Sequence, residues 1–178
     1  LFANVTVTNF YPKFGFKNIQ EFIFIRNRNI PKPNYSARKL NIKNNEDYKI
    51  LCELLNSRQE LTKTFGAENY GFITMWHVLN LYANDIYYLE QDDIIIIKQE
   101  KNDILHVLDV VYKKSFDLDS LIPKIIESDS IKSINYYFPP DQLFYKYDRV
   151  EKKDTGLFIL GDFKIGKIPF RFPSTAIT

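Results

Sequence analysis

The stretch IYYLEQDDIIIIKQEKNDILHVLDVVY (residues 86–112) contains three apolar segments separated by short polar turns. We predict three strands, Ile86–Glu90, Asp93–Glu100 and Ile104–Tyr112, because each segment is rich in β-branched and aromatic residues. Connections as short as Gln91–Asp92 and Lys101–Asp103 favour an antiparallel meander. The third segment is apolar on both faces, with Leu108 and Val110 on one side and Val107 and Val111 on the other. This pattern predicts a central strand.

Two helices are predicted before these strands. The sequence NNED ahead of Tyr48 supplies an N-cap and acidic residues for the first turn of one helix. A second helix, over about residues 69–82, places Phe72, Trp76 and Leu79 on one face. The segment ARKLNI (residues 37–42) before both helices predicts a first strand.

A third helix and further strands are predicted after the meander. We expect this helix to be capped by Asp119 or Ser120, with Pro123 tolerated in its first turn. The strands that follow are predicted at Ser130–Phe138, Gly156–Gly161 and Ile168–Phe172. From residue 37 onward this order predicts an α+β domain with helices on a mixed, mostly antiparallel sheet.

The region before residue 37 has a different composition. Thr8–Tyr11 is compatible with a short helix, and Lys17–Ile25 alternates as a strand should. RNRNIPKPNYS (residues 26–36) then has two prolines and no periodicity, which is typical of a linker. We therefore divide the chain into residues 1–28, a linker at 29–36, and a domain at 37–178.

Composition excludes several classes of function. The 178 residues suffice for one domain, or for one domain and part of another. The formal net charge of +2 argues against an electrostatic binder of nucleic acid or of membranes. One cysteine, Cys52, excludes an intramolecular disulfide, and no segment has the length and apolarity of a membrane span. We expect a cytoplasmic protein, and the sequence leaves self-association open.

A dense motif lies within NVTVTNFYPKFGF (residues 4–16). It resembles the segment N-x-x-(A/V)-x-x-(L/F)-Y-(E/P)-K-x-G-F at the end of the fifth strand in the GNAT N-acetyltransferase superfamily. Eight positions agree in register: Asn4, Val7, Phe10, Tyr11, Pro12, Lys13, Gly15 and Phe16. The element order from residue 37 is also similar to that superfamily. The resemblance thus implies a GNAT-like sheet preceded by the last strands of another GNAT domain.

The resemblance also implies a catalytic site. Tyr11 would be the catalytic residue, whose hydroxyl protonates the leaving thiolate of coenzyme A as an amine attacks acetyl-CoA. A phenol stays protonated at neutral pH, which suits this role. Asn4, Phe10, Lys13 and Phe14 would contact the cofactor. Gly15 is expected to adopt the positive φ that ends this turn, and Phe10, Phe14 and Phe16 are expected to bury the helix against the sheet. The alternative is that Tyr11 only caps an aromatic core turn.

A second comparison suggests a tandem arrangement. PPDQLFYKYDRVEKKDTGLFIL (residues 139–160) echoes VTVTNFYPKFGFKNIQEFIFI (residues 5–25) and pairs Phe144–Tyr145 with Phe10–Tyr11. We expect the end of one GNAT domain followed by a complete GNAT-like domain. The upstream part of the first domain is then a partner of this chain, and the chain alone is expected to be inactive.

The cofactor loop of the second domain departs from the superfamily pattern. GNAT proteins bind acetyl-CoA through a Q/R-x-x-G-x-G/A loop, whose backbone N–H groups approach the pyrophosphate. The equivalent stretch, VVYKKSFDLDS (residues 110–120), has no glycine and places Asp117 and Asp119 where phosphate charge would lie. Lys113 and Lys114 could contact a phosphate, but surface solvation is the explanation that we prefer for them. We expect a degenerate second copy that lacks ordinary cofactor binding.

Other candidate sites are weak. His77 and His106 are expected to be core or interface histidines, and no Cys/His pairing has the spacing of a metal site. An acceptor pocket lined by Trp76, Tyr87, Tyr88 and Tyr136 is one reading, and plain core packing is the other. Two functions remain in competition. The first is an acetyl-CoA-dependent N-acetyltransferase for a small-molecule or protein amine, and the second is a non-catalytic GNAT-like binding or interaction module.

Overall fold

The computed structural model describes residues 1–141, 147–153, 156–162 and 168–177. Its strands, in chain order, are β1 (Phe16–Asn18), β2 (Phe22–Arg26), β3 (Arg38–Lys39), β4 (Ile86–Leu89), β5 (Ile94–Lys101), β6 (Ile104–Val111), β7 (Ser133–Tyr136), β8 (Asp148–Glu151) and β9 (Phe158–Leu160). Its α-helices are α1 (Asn45–Ser57), α2 (Gly71–Asn80) and α3 (Leu118–Ile125). Three short 3-10 turns lie at Val5–Val7, Tyr11–Phe14 and Ser174–Ala176.

Seven strands form one mixed sheet in the order β3-β4-β5-β6-β7-β2-β8. Every neighbouring pair is antiparallel except β6 and β7, which run parallel. The meander of three strands is confirmed, and β6 lies at the centre of the sheet as its two apolar faces predicted. The α+β class with a mostly antiparallel sheet is likewise confirmed.

The sheet has an apolar core on each face. On one face, α3 packs its Leu121 and Ile122 against strand residues that include Ile96 and Val107. On the other face, Leu51 and Val78 from α1 and α2 belong to the core that contains Ile95 and Ile97. Successive residues in the first half of β5, Ile94–Ile97, therefore point into opposite cores, which is why this half of the strand is apolar throughout.

A register shift in β6 changes which residues share a face. Ile97 pairs with Asp109 and Lys98 pairs with Val107, so Leu108 has no residue opposite it. As a result Val107 and Val110 lie in the core on the α3 side, and Leu108 and Val111 lie in the other core. The strict alternation that we predicted for this strand is wrong here, because a bulge inserts one extra residue into the ladder.

The predicted single strand Lys17–Ile25 is instead two strands in different sheets. β1 pairs with β9 and β2 pairs with β8, both antiparallel. The described residues 148–153 and 156–160 therefore both run antiparallel to residues 16–26, and these segments are together called the ribbon. The ribbon passes from the smaller sheet to the larger one at residues 19–21, which are called the bend. Backbone bonds continue across the bend, with Lys152 N–H donating to the Glu21 carbonyl and Ile19 N–H to that of Leu157.

The outer end of this ribbon forms the smaller sheet. On the β1 side, the Leu157 carbonyl accepts a hydrogen bond from the Ile19 N–H. On the opposite side, Ala3 N–H donates to the Gly156 carbonyl at 2.7 Å, and Phe2 bridges to Leu157. The segment 156–160 thus lies between β1 and the first three residues of the chain.

The helices confirm some capping predictions and correct others. Asn44 caps α1, with its side chain accepting from the N–H groups of Glu46 and Asp47. For α3 the N-cap is Asp117 and not Asp119 or Ser120, because the Asp117 carboxylate reaches the Asp119 N–H. Pro123 consequently lies beyond the first turn of α3, contrary to our prediction.

The face of α2 that we predicted from periodicity is exposed. The exposed side chains of this face, Phe72, Trp76 and Leu79, are together called the α2 stripe. The helix instead packs Thr74, His77 and Val78 inward. The periodicity therefore predicted correctly which residues share a face of α2. It did not indicate which face packs against the sheet.

The predicted linker, residues 29–36, has no helix or strand and lies along the end of α3. Asn34 N–H donates to the Pro123 carbonyl at 2.8 Å, and Ser36 N–H to that of Lys124 at 3.0 Å. Strands from both sides of this segment share the seven-stranded sheet, since β2 pairs with β7 and β8. The division into two domains stays a prediction.

The C-terminal part differs from its prediction in two places. β8 was not predicted, and residues 168–172, where we expected a strand, do not form one. Two hydrogen bonds attach this segment to the bend of the ribbon. Phe22 N–H donates to the Phe170 carbonyl, and Phe172 N–H donates to the Glu21 carboxylate. The echo at Phe144–Tyr145 lies outside the described residues.

Candidate active site

Tyr11 begins a 3-10 turn on the smaller sheet. The turn Tyr11–Phe14 has Pro12 near its start, where proline needs no hydrogen-bond partner. It ends at Gly15, whose φ of 82° confirms the predicted left-handed conformation. The Gly15 N–H donates to the Pro12 carbonyl at 3.1 Å. A side chain other than hydrogen would be strained at this position, which fixes the residue type.

The Tyr11 ring is half-buried in an aromatic group. Its centroid lies 5.6 Å from that of Phe10, 5.7 Å from Phe16 and 5.5 Å from Phe158. Phe158 is a buried residue of β9, so the ring rests on the smaller sheet. The motif and the far end of the ribbon therefore position the tyrosine together.

Phe10 and Phe14 are not buried as we expected. Their ring centroids are 4.9 Å apart, but they are 52% and 59% exposed. The expectation that both bury the helix against the sheet is wrong, because the turn lies at the outer side of two short strands and has nothing packed over it among the described residues. This group leaves an apolar surface beside Tyr11.

The other two predicted cofactor residues, Asn4 and Lys13, have exposed polar side chains. Asn4 is exposed and caps the turn Val5–Val7, its Oδ1 accepting from the Thr6 N–H at 3.2 Å. Lys13 is exposed in the same turn as Tyr11. The structure therefore brings the rings of Tyr11, Phe10 and Phe14 together. The position of the Asn4 side chain is explained by its cap on the turn Val5–Val7.

The N-terminus of α3 already holds carboxylates. Asp117 accepts from the Asp119 N–H at 3.0 Å, and Asp119 accepts from Arg26 Nη1 at 2.7 Å. Lys113, which sequence reasoning considered for a phosphate, is paired with Asp93 at 2.7 Å. The Lys113 hydrogen bond holds the pKa of Asp93 below its usual range. An incoming pyrophosphate would meet these acidic groups, so the residues present do not fit it.

A buried ion pair that sequence reasoning missed lies on the α1 and α2 side of β6. Arg58 contacts Asp109 through two bonds, of 2.8 and 3.1 Å, and both side chains are almost fully buried. The Thr175 hydroxyl donates to Asp109 Oδ2 at 2.5 Å, which attaches the C-terminal segment to the sheet. An aspartate within the apolar run ILHVLDVVY was the available signal.

Tyr70 completes this buried cluster. Arg58 lies over its ring at 3.8 Å from the centroid and donates to its hydroxyl. Burial and the charge of Asp109 raise the pKa of Tyr70 far above the usual range, so it stays neutral. A cavity of about 200 Å³ opens beside Arg58 and Tyr70, and another of about 390 Å³ lies along the 30–33 segment. Neither cavity is lined by Tyr11.

The remaining candidates are structural. His77 contacts the Ile177 carbonyl at 2.7 Å through Nε2, and His106 contacts the Tyr137 hydroxyl at 2.9 Å through Nδ1. The four residues of the suggested acceptor pocket do not converge, since Tyr136 and Tyr88 lie in cores on opposite faces and Trp76 is exposed. Within the described part of the chain, no group of three His, Cys, Asp or Glu is placed to hold a metal.

Helices in the described ranges are too short or too polar to cross a membrane. No protein-family model matches the sequence, and no curated protein matches it. The chain is similar to a solved GCN5-related N-acetyltransferase from Kribbella flavida, with a TM-score of 0.50 and 15% identity over 85% of this chain and 41% of that one. It also matches a conserved Enterococcus faecalis protein of unknown function described as a probable N-acyltransferase, with a TM-score of 0.48 and 12% identity over 80% and 41%.

These likenesses are distant in sequence. At 15% identity the Kribbella structure shows the fold alone, which is that of the GNAT N-acetyltransferases. The chain spans less than half the length of each matched protein.

Proposed function

We propose that this chain is the C-terminal part of a tandem GNAT N-acetyltransferase, which transfers acetyl from acetyl-CoA to a small-molecule or protein amine. The first domain is catalytic, and the second is a degenerate copy. The observation that supports this most strongly is the position of Tyr11. It lies on the smaller sheet, within a motif that agrees with the GNAT pattern at eight positions.

The exposed surface of the smaller sheet supports the proposal that the first domain has an additional, upstream part. Two three-residue strands cannot bury the surface on which Tyr11 lies, and Phe10, Phe14 and Leu160 are exposed. A two-stranded ribbon is marginal without further packing. The upstream part of the first domain would cover these side chains and bring acetyl-CoA to Tyr11.

Tyr11 then acts as general acid. The acceptor amine forms a C–N bond with the acetyl carbonyl carbon, the C–S bond breaks, and the leaving thiolate takes the Tyr11 hydroxyl proton. The proton that the amine releases returns to the tyrosinate through solvent. Of the other predicted residues, Phe10 and Phe14 offer an apolar wall to the cofactor, while Lys13 and Asn4 offer polar contacts at its edge.

The second domain supports the proposal that catalysis belongs to the first domain and that the second is a degenerate copy. Its α3 N-terminus is occupied by Asp117 and by the Asp119–Arg26 pair, so acetyl-CoA has no phosphate site there. The same observation favours the alternative function, a non-catalytic GNAT-like interaction module, if the first domain has also lost its cofactor loop.

The test is Tyr11→Phe in the polypeptide that includes the upstream part of the first domain. Thiol release from acetyl-CoA is measured with spermidine and with a lysine-containing peptide as acceptors. We expect kcat to fall about 10²- to 10⁴-fold with KM for acetyl-CoA little changed, because only proton donation is lost. Tyr48→Phe, on the exposed side of α1, is the matched control and should leave kcat unchanged. Equal rates for Tyr11→Phe and the unchanged protein would contradict the assignment.

A further inference from the structure

Residues 173–177, which are called the 173–177 segment, pack against α2 and β6. Thr175 is fully buried, and its hydroxyl donates to Asp109 Oδ2 at 2.5 Å. Two residues later, the Ile177 carbonyl accepts from His77 Nε2 at 2.7 Å. The segment is thus held through one hydroxyl and one backbone carbonyl, as a peptide is held by a protein that recognises it.

The side chains that hold the segment are themselves fixed by other contacts. Arg58 donates two N–H groups to Asp109 and one each to the hydroxyls of Thr74 and Tyr70. Since Arg58 stays beside the buried carboxylate, Asp109 remains paired when the Thr175 hydroxyl leaves. The acceptor for a hydroxyl group is therefore present whether or not the segment is bound.

The 173–177 segment buries little apolar surface. Its buried apolar side chains are the small ones of Pro173 and Ala176. Phe170, just before the segment, is by contrast only 2% exposed, and its ring centroid lies 4.5 Å from that of Phe65. A part of a protein with few buried apolar contacts opens at a lower free energy than the core does. The attachment of the chain is therefore weakest beyond Pro173.

The closed position of the segment also leaves buried polar atoms without partners. All of these atoms belong to the segment, to the residue that holds its Ile177 carbonyl, or to nearby residues of the same cluster. Each one has lost contact with water without gaining a hydrogen bond, which opposes the closed position. Among the described residues, the buried side-chain polar atoms without a hydrogen-bond partner are Arg58 Nε, His77 Nδ1, Arg171 Nη1 and Ser174 Oγ.

We propose that Asp109, Thr74 and His77 form a peptide-binding site, from which the chain's own 173–177 segment is released without unfolding of the sheet. These three residues are called the receiving site. Its ligand is an extended peptide with a threonine between small residues. The threonine hydroxyl donates to the Asp109 carboxylate, a charge-assisted bond, and the carbonyl two residues later accepts from His77. The proposal uses neither Tyr11 nor acetyl-CoA, so it is independent of the proposed function.

Thiol labelling of the whole chain tests whether the segment opens by itself. Cys52 is the single cysteine, so Ser174→Cys and Val110→Cys are each made together with Cys52→Ser. Val110 is fully buried in the sheet. We expect a maleimide to label Ser174→Cys at least about tenfold faster than Val110→Cys, at a rate independent of urea below the unfolding transition. The same urea dependence at both positions would mean that the segment opens only on global unfolding, and would overturn the proposal.

A peptide added to the whole chain tests the receiving site. The fluorescently labelled peptide is PSTAIT, the sequence of residues 173–178, and its binding is followed by anisotropy. Thr175→Val, which removes the hydroxyl and keeps the shape, is made once in the chain and once in the peptide. In the chain it should tighten peptide binding about tenfold, because the internal competitor is weakened. In the peptide it should weaken binding about tenfold, because the bond to Asp109 is lost.

Thr6→Val, at an exposed threonine, is the control in the chain and should leave the affinity for the peptide unchanged. Circular dichroism should show the Thr175→Val chain folded, since Arg58 still pairs with Asp109. Failure of the folded Thr175→Val chain to bind PSTAIT would contradict the proposal. Equal affinity for the two peptides would contradict it as well, because a threonine that only fills space gives no such difference.

Discussion

The ribbon made by residues 16–26, 148–153 and 156–160 has very different surroundings at its two ends. At the inner end, β2 lies between β7 and β8, and Phe24 is 1% exposed. At the outer end, β1 and β9 pair in the same antiparallel way, yet Leu160 is 64% exposed. Each end contains one apolar strand, β2 at the inner end and β9 at the outer end, and both ends are hydrogen-bonded. Burial therefore depends on what packs over the ribbon and not on the strand pairing itself.

The bend between the two ends is held by one buried acidic residue. Glu21 accepts from the Phe172 N–H at 2.9 Å and from Lys152 Nζ at 3.1 Å, and its side chain is almost completely buried. A buried carboxylate is stable only when it is paired and hydrogen-bonded in this way. Glu21 thereby fixes where the ribbon leaves the larger sheet.

Truncation of one apolar side chain at each end measures the contrast directly. Phe24→Ala should lower the free energy of unfolding by about 3–5 kcal/mol, because it leaves a cavity in a closed core. Leu160→Ala should change it by less than about 0.5 kcal/mol, as expected of an exposed residue. Urea denaturation of both variants checks this, and similar losses at the two positions would break the comparison.

A substitution at the bend should have a smaller effect. Glu21→Gln removes the charge that pairs with Lys152 and weakens the bond from Phe172, so we expect a loss of about 1–3 kcal/mol. Hydrogen exchange should show faster opening of β1 and β9 than of β5 and β6. Glu151→Gln, exposed on β8, is the control and should leave the exchange pattern unchanged. If Glu21→Gln accelerated hydrogen exchange equally in both sheets, Glu21 would not act locally at the bend.

The sequence predicted those elements whose signals are local. The strands at residues 86–111 followed from β-branched runs between polar turns, the cap at Asn44 from side-chain chemistry, and the Gly15 conformation from the motif. None of these depends on distant parts of the chain.

The features that sequence reasoning missed depend on long-range partners. The alternation in Lys17–Ile25 continues through the bend, because residues 19–21 change sheets by pairing with segments more than a hundred positions away. The helical stripe on α2 identified a face but not its exposure, since both faces of that helix are apolar. For the site, the motif indicated Tyr11 and its neighbours, whereas the Arg58–Asp109 pair joins elements that only the fold brings together.

The central claim is that cofactor binding belongs to the region of Tyr11 and not to the second domain. Calorimetric titration of this 178-residue chain with acetyl-CoA tests it most directly, with the longer polypeptide that includes the upstream part of the first domain as the comparison. We predict no binding to the chain alone and clear binding to the longer polypeptide, because Asp117 and Asp119 occupy the α3 N-terminus. Micromolar affinity of the chain alone would contradict the claim.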